Sequence, residues 1–194
     1  MSKAIFPVFY AGNIAYYRGL MQSEVCFEIF ENFPKQTFRS RMLITGPNGS
    51  QLLAIPTVKT GLRRTMKDVK ISYAEDWQKD HWKSLEASYR RSPYFEYYEH
   101  LFFPFYKEKK ETLLEFNLEL LDTILKILSL ELPYSQSEKY SDYENDFRGH
   151  SFELKTEEIK QYTQVFNDRQ EFAPNLSILD AIFNLGPQTT MLLK

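Results

Sequence analysis

One cysteine, seven glycines and no apolar stretch long enough to span a bilayer define what this 194-residue chain lacks. A lone thiol, Cys26, cannot close an intrachain disulfide. Its place in the apolar run VCFEIF suits a buried thiol in a reducing cytosol. No apolar run approaches the ~18 residues that cross a membrane, and no charged and then apolar leader opens the chain, so a soluble cytoplasmic protein is expected. The scarce glycines form no Walker loop, and Gly12 has no G-x-G-x-x-G around it. HExxH, G-x-S-x-G, paired cysteines and the kinase signature are absent too, which disfavours several large enzyme classes. Asp142, Glu144 and Asp146 imitate only loosely the acidic metal motif of sugar-nucleotide glycosyltransferases, so no metal or cofactor is predicted.

What is present is aromatic: 16 Phe, 13 Tyr and 2 Trp in a chain that is 43% hydrophobic and 26% charged, a globular composition. The length suits one compact unit over residues 1–194, with a strand-rich part to about residue 75, a helical part over 76–130 and a mixed remainder. The net charge of −2 hides an asymmetry. Between Lys35 and Lys70 stand Lys35, Arg39, Arg41, Lys59, Arg63, Arg64, Lys67 and Lys70 against Asp68 alone, a local excess of +7. Spread over a hairpin and a loop, these charges suit a compact phosphate or carboxylate better than a nucleic-acid duplex. A merely solvated basic surface is the alternative.

Lys3–Phe9 reads as a strand ending at Pro7, and Asn13 as the cap of a helix from Ile14 to about Met21. Val25–Phe30 reads as the next strand, which makes an α/β beginning. The Tyr10–Asn13 turn leads into the helix N-terminus, a place where anionic or polar ligands commonly bind. In ENFPKQTFRSR (residues 31–41), Arg39 and Arg41 would point to one side if the segment is extended, giving a two-guanidinium clamp for phosphate or carboxylate. MLIT, Gly46-Pro47-Asn48-Gly49 and QLLAIPT form a β-hairpin in which the glycines serve the turn. Val69–Tyr73 reads as a strand, Tyr94–Phe103 as an aromatic helix, Glu111–Leu130 as a helix buried on most sides and Ser135–His150 as polar turns. Tyr162–Phe166 reads as a short strand, and Leu176–Asn184 as a helix capped by Asn175 and stopped by Gly186-Pro187. The expected fold is therefore α/β, with mixed α+β as the variant: a strand-rich layer with a hairpin, and helices packed on it.

The helical stretch Trp77–Tyr98 carries both tryptophans. At 100° per residue Trp77, Gln78, His81, Trp82, Leu85, Ser88 and Tyr89 share one arc, so His81 lies inside an aromatic face. Such a histidine is either a packed core residue or a shielded, neutral general base. His81 and Glu86, five residues apart, lie about 140° apart on a helix and cannot meet as a pair.

ENFPKQTFRSR (31–41), GPNGSQLLAIPTVK (46–59), KDVKISY with WQKDHWKSLEASYRRSPYFEYY (67–98), LLEFNLELL (113–121) and PNLSILDAIFNLGP (174–187) together resemble the WbqC-like proteins of bacterial surface-polysaccharide biosynthesis. Phe6 stands where that family often has Gln, and Ser40 where it has Asn, both beside presumed site loops. The resemblance implies an enzyme of O-antigen and related glycan pathways that acylates amino sugars, for instance with glycine. In that reading His81 takes the proton of a sugar amine and Glu31 orients His81 or the ammonium. Lys35, Arg39 and Arg41 hold the anionic part, a sugar-linked phosphate or activated carboxylate. Tyr10 and Asn13 line the site, and Trp77 or Trp82 packs on the sugar. The alternatives are a non-catalytic sugar-nucleotide binding or assembly protein, and a glycosyltransferase of unusual fold.

Overall fold

The computed structural model describes residues 3–194. Strand β1 (Lys3–Phe6) is ended by Pro7, which has no N–H to extend a ladder. Asn13, in extended geometry, accepts the Tyr16 N–H through its side chain and so starts helix α1 (Ile14–Met21). Strand β2 (Glu24–Phe27) returns parallel to β1, pairing Lys3 with Glu24 through to Phe6 with Phe27. β2 stops before the expected Phe30 because the Glu28 carboxylate accepts the Phe30 N–H at 2.7 Å and turns the backbone out of the ladder.

Two short strands from the far part of the chain complete this sheet. β5 (Tyr134–Gln136) pairs parallel with β2, and β6 (Asn145–Asp146) pairs parallel with β1, giving the order β5-β2-β1-β6. The expectation of polar turns across Ser135–His150 is corrected here. Both strands are too short and polar to show a hydrophobic period, and the ladder continues past them through Ser137 N–H to Phe27 and Phe147 N–H to Ile5. Between β2 and the helices lies the expected hairpin, β3 (Arg41–Ile44) with β4 (Gln51–Ala54), antiparallel, with Arg41 opposite Ala54. Gly49 takes φ +113°, a backbone open to glycine, at its turn.

Helices α2 (Trp77–Tyr89), α3 (Phe95–Phe102) and α4 (Leu113–Ile127) follow, and α5 (Ile178–Leu185) packs among them. α4 buries Leu113, Leu114, Phe116, Leu120, Leu121, Ile124 and Leu125, leaving Glu115, Glu119, Asp122 and Lys126 as its wet stripe. The core joins α5 to α2 and α3 through Phe183, whose ring centroid lies 5.0 Å from Phe95 and 5.1 Å from Tyr89. Among the described residues the fold is α/β, a parallel sheet and an antiparallel hairpin with five α-helices.

Three further expectations are corrected. Val69–Tyr73 forms isolated bridges, Thr57 with Ile71 and Lys70 with Thr112, because its two sides meet different partners. Tyr162–Phe166 is not a strand, since Tyr162 and Gln164 turn their side chains onto Asp180 of α5. Ser177, not Asn175, caps α5, accepting the Leu179 N–H, while Asn175 exchanges two hydrogen bonds with the Leu154 backbone. Gly186, at φ +58°, does end α5.

Candidate functional site

Because β1, β2, β5 and β6 run parallel, the residues that follow them gather at one edge of the sheet, where open α/β sheets leave a ligand crevice. Glu28 follows β2 and is fully buried. Its carboxylate accepts the Ser137 hydroxyl at 2.8 Å, just past β5, and meets the Arg148 guanidinium at 3.3 Å. Arg148 also binds Asp146, the last residue of β6, through both carboxylate oxygens, and stands 4.5 Å over the Tyr140 ring. The Arg148 carbonyl accepts from Arg39, whose guanidinium grips both oxygens of Glu31 in a buried bidentate pair. Inside α4, the Asn117 side chain holds the Arg39 carbonyl at 2.7 Å and so pins this loop to the helical layer. Three carboxylates and two guanidiniums thus form one network. Burial raises the Glu31 pKa, with Arg39 opposing, while the Arg148 hydrogen bonds hold Asp146 below the ordinary carboxylate range.

Three clefts open along this edge. One of about 580 Å³ is lined by Glu31, Arg39, Asp146 and Arg148. On one side it shares Pro34, Arg39, Arg148 and Gly149 with a cleft of about 470 Å³ that adds Arg41 and His150. On the other it shares Asn32 and Pro34 with a cleft of about 870 Å³ lined by Lys35, Lys59, Arg63 and Arg64. No acidic residue lines this largest cleft, and among the described residues none of its four cations forms an ion pair. Arg64 is seated firmly, its carbonyl accepting the Phe33 N–H at 2.8 Å, yet its Nη1 is shielded from solvent with no hydrogen-bond partner among the described residues. An unmet buried donor among unpaired cations is an arrangement that an anion satisfies.

A family model of WbqC-like proteins matches residues 10–147 and 135–191. The chain belongs to the WbqC-like protein family. Comparison with curated proteins and with solved structures finds no match. No helix of this WbqC-like protein is long and apolar enough to cross a membrane, among the described residues.

The residues singled out from the sequence fall in three places. Lys35 lines the basic cleft, while Arg39, Arg41 and Glu31 line the other two. Residues 35–40 are a succession of turns, with Gln36 at φ +63°, so the extended geometry expected for Arg39 and Arg41 is corrected. Arg39 is committed to Glu31, and Arg41 donates to the Gln36 carbonyl at 3.4 Å. Asn13 has its oxygen on the Tyr16 N–H and its nitrogen on the Phe152 carbonyl, beside a cavity of only about 10 Å³. Tyr10, His81, Trp77 and Trp82 lie in the aromatic core and line none of these clefts. The Tyr10 hydroxyl is shared between His81 Nδ1 at 3.0 Å and the Tyr106 hydroxyl at 2.9 Å. Trp77 stands edge-on to His81, and Trp82 packs on Phe95, Phe103 and Tyr106. Glu31 is turned to Arg39, not to His81. Sequence reasoning missed Glu28, Arg148, Lys59, Arg63 and Arg64 as site residues. The last three had left a signal, in the basic excess.

Burial pushes the His81 pKa down to about 4, with the Ala54 backbone and Asp80 opposing. His81→Gln should therefore weaken the fold by roughly 1–3 kcal/mol at neutral pH through the lost hydrogen bond to Tyr10. The sign of its pH dependence follows from the depressed pKa. An unfolded histidine takes up a proton below about pH 6.5 and the buried one does not, so wild-type stability falls through this group as pH drops from about 6.5 toward 4. Denaturant melts should show the variant losing that component. An unchanged acid slope would mean that His81 titrates normally in the fold.

Proposed function

We propose that this protein is a transferase of bacterial surface-glycan biosynthesis that forms an amide between an activated carboxyl and the amine of a sugar carried on a phosphate or diphosphate. The observation that carries the reading is the cleft of about 870 Å³ with four unpaired cations, one of them holding a shielded, unpartnered Nη1, beside the carboxyl ends of the parallel strands. Lys35, Lys59, Arg63 and Arg64 would hold the phosphates. Arg41 and Arg148, lining the far cleft, would take the carboxyl-bearing donor. In the transfer the amine nitrogen attacks the carbonyl carbon, the leaving group departs with its electron pair, and the amine proton passes to a base. We assign that base to Glu31 and not to His81, because Glu31 lines the middle cleft and burial raises its proton affinity. His81 then becomes a positioning residue for Tyr10. One observation favours the non-catalytic alternative, a sugar-nucleotide binding protein: Arg39 occupies both Glu31 oxygens.

A nucleoside diphosphate sugar should raise the melting temperature, and Arg64→Ala should weaken that binding by roughly 2 kcal/mol or more, about thirtyfold, while the exposed Lys35→Ala costs less. Isothermal titration at low and high salt separates a desolvated contact from a screened one. Equal affinities for wild type and Arg64→Ala would remove the basis of the proposal. Binding without turnover of an amine acceptor, with Glu31→Gln binding as wild type, would favour the non-catalytic reading.

A further inference from the structure

The basic cleft has a rim that a water-soluble phosphate ligand does not explain. Leu62 stands 79% exposed between Gly61 and Arg63, and Val58 is 39% exposed in the same loop. Gly61, at φ +70° with nothing within 4 Å of where a Cβ would stand, turns the chain at a point in open space. The base of the loop is held firmly, with Val58 N–H on the Lys70 carbonyl, Phe33 N–H on the Arg64 carbonyl and Met66 N–H on the Glu31 carbonyl. A rigid base thus presents aliphatic side chains flanked by Lys59, Arg63 and Arg64, none of them ion-paired among the described residues. Residues 35–70 carry +7 in a chain of −2, so the remainder carries −9, and the basic excess is concentrated in the segment that contains this loop. An anionic plane would attract this loop and repel the rest.

We infer that the Val58–Arg64 loop docks on the surface of an anionic lipid bilayer, with Leu62 inserted among the headgroups and Lys59 and Arg63 against lipid phosphates. The exposed apolar groups are aliphatic, which suits the headgroup boundary. Single-stranded nucleic acid would instead call for aromatic faces on which bases stack. Docking shares Lys59 and Arg63 with the phosphate site proposed above but takes no part in the transfer step, and it is tested without any sugar nucleotide.

The test is co-sedimentation of the full chain with vesicles of phosphatidylcholine alone or mixed with phosphatidylglycerol. Wild type should partition onto the mixed vesicles only, and salt should release it. Leu62→Ser should lower the partition several-fold. Lys59→Ala with Arg63→Ala should lower it roughly twenty-five-fold, about fivefold for each cation removed. All these positions are exposed, so melting temperatures should match wild type, and a variant that matches yet loses partition supports docking directly. No sedimentation, sedimentation indifferent to lipid charge, insensitivity to Leu62→Ser, or equally tight binding of polyuridylate would each overturn the inference. Failure here with sugar-nucleotide binding intact removes the docking alone, and the converse removes only the proposed function.

Discussion

Arg39→Met should lower the free energy of unfolding by roughly 3–5 kcal/mol, a fall of about 6–20 °C in Tm for a chain of this size. The substitution removes the guanidinium that holds both Glu31 oxygens and leaves a buried carboxylate with no cation. Asn117 still grips the backbone carbonyl of residue 39, so the loop stays docked and the cost is electrostatic rather than a local unfolding. Two controls follow. Glu31→Leu added to Arg39→Met should recover much of the loss, because both charges are then gone. The pH dependence has a definite sign: burial already raises the Glu31 pKa, and removing Arg39 raises it further. The folded variant then binds a proton that the unfolded chain does not, so the deficit is full at alkaline pH and shrinks as pH falls through the raised pKa. A deficit independent of pH, or no rescue by the double substitution, would show that the pair carries no buried charge.

Asp180→Asn should change the difference in stability between pH 4 and pH 8 by roughly 3 kcal/mol, the second large effect. Asp180 is fully buried in α5, bonded by the Tyr162 hydroxyl at 2.8 Å and Gln164 at 2.9 Å; among the described residues its other oxygen has no partner and no cation pairs with it. Burial pushes its pKa up from 3.8 to about 6, against the opposing hydrogen bonds. The unfolded carboxyl ionises near pH 4 while the folded one keeps its proton, so this group makes the fold lose stability as pH rises from about 4 to about 6. His81 acts in the opposite direction over an overlapping range, so the quantity to compare is variant minus wild type at each pH. Chemical denaturation across that range would sink the assignment if the two profiles ran parallel.

How far the sequence revealed the fold depended on whether an element carried its own pattern. β1, α1 and the hairpin were legible because Pro7, Asn13 and the Gly46–Gly49 turn act locally, and α2 was legible because its aromatic arc has helical period. β5 and β6, with sequences YSQ and ND, have too few residues for any period. They exist as strands because the edges of β2 and β1 accept them. Of the clefts, Glu31, Lys35, Arg39 and Arg41 were named from the sequence, but how they divide among the clefts was not. That Arg39 belongs to Glu31 and Lys35 to a different cleft depends on turns at residues 35–40 that no spacing rule anticipates. Arg148 lies more than a hundred residues from Glu28 and joins it only when the sheet is complete. His81 shows the converse: its burial was readable, but whether a cavity reached it was not.

The strand order also constrains the sequence of events in folding. β1 and β2 emerge from synthesis before β5 and β6, and among the described residues one edge of β1 is filled by Asn145–Asp146 and one edge of β2 by Tyr134–Gln136. A nascent chain ending near residue 130 therefore carries a two-stranded ribbon with both edges open and a buried-type acid, Glu28, without its Arg148 counter-ion. Open edges invite pairing with other chains, and long sequence separations slow closure. Refolding should be rate-limited by capture of the 134–148 segment, and C-terminal truncations before it should aggregate, so the clefts along the sheet edge are among the last features of the molecule to form.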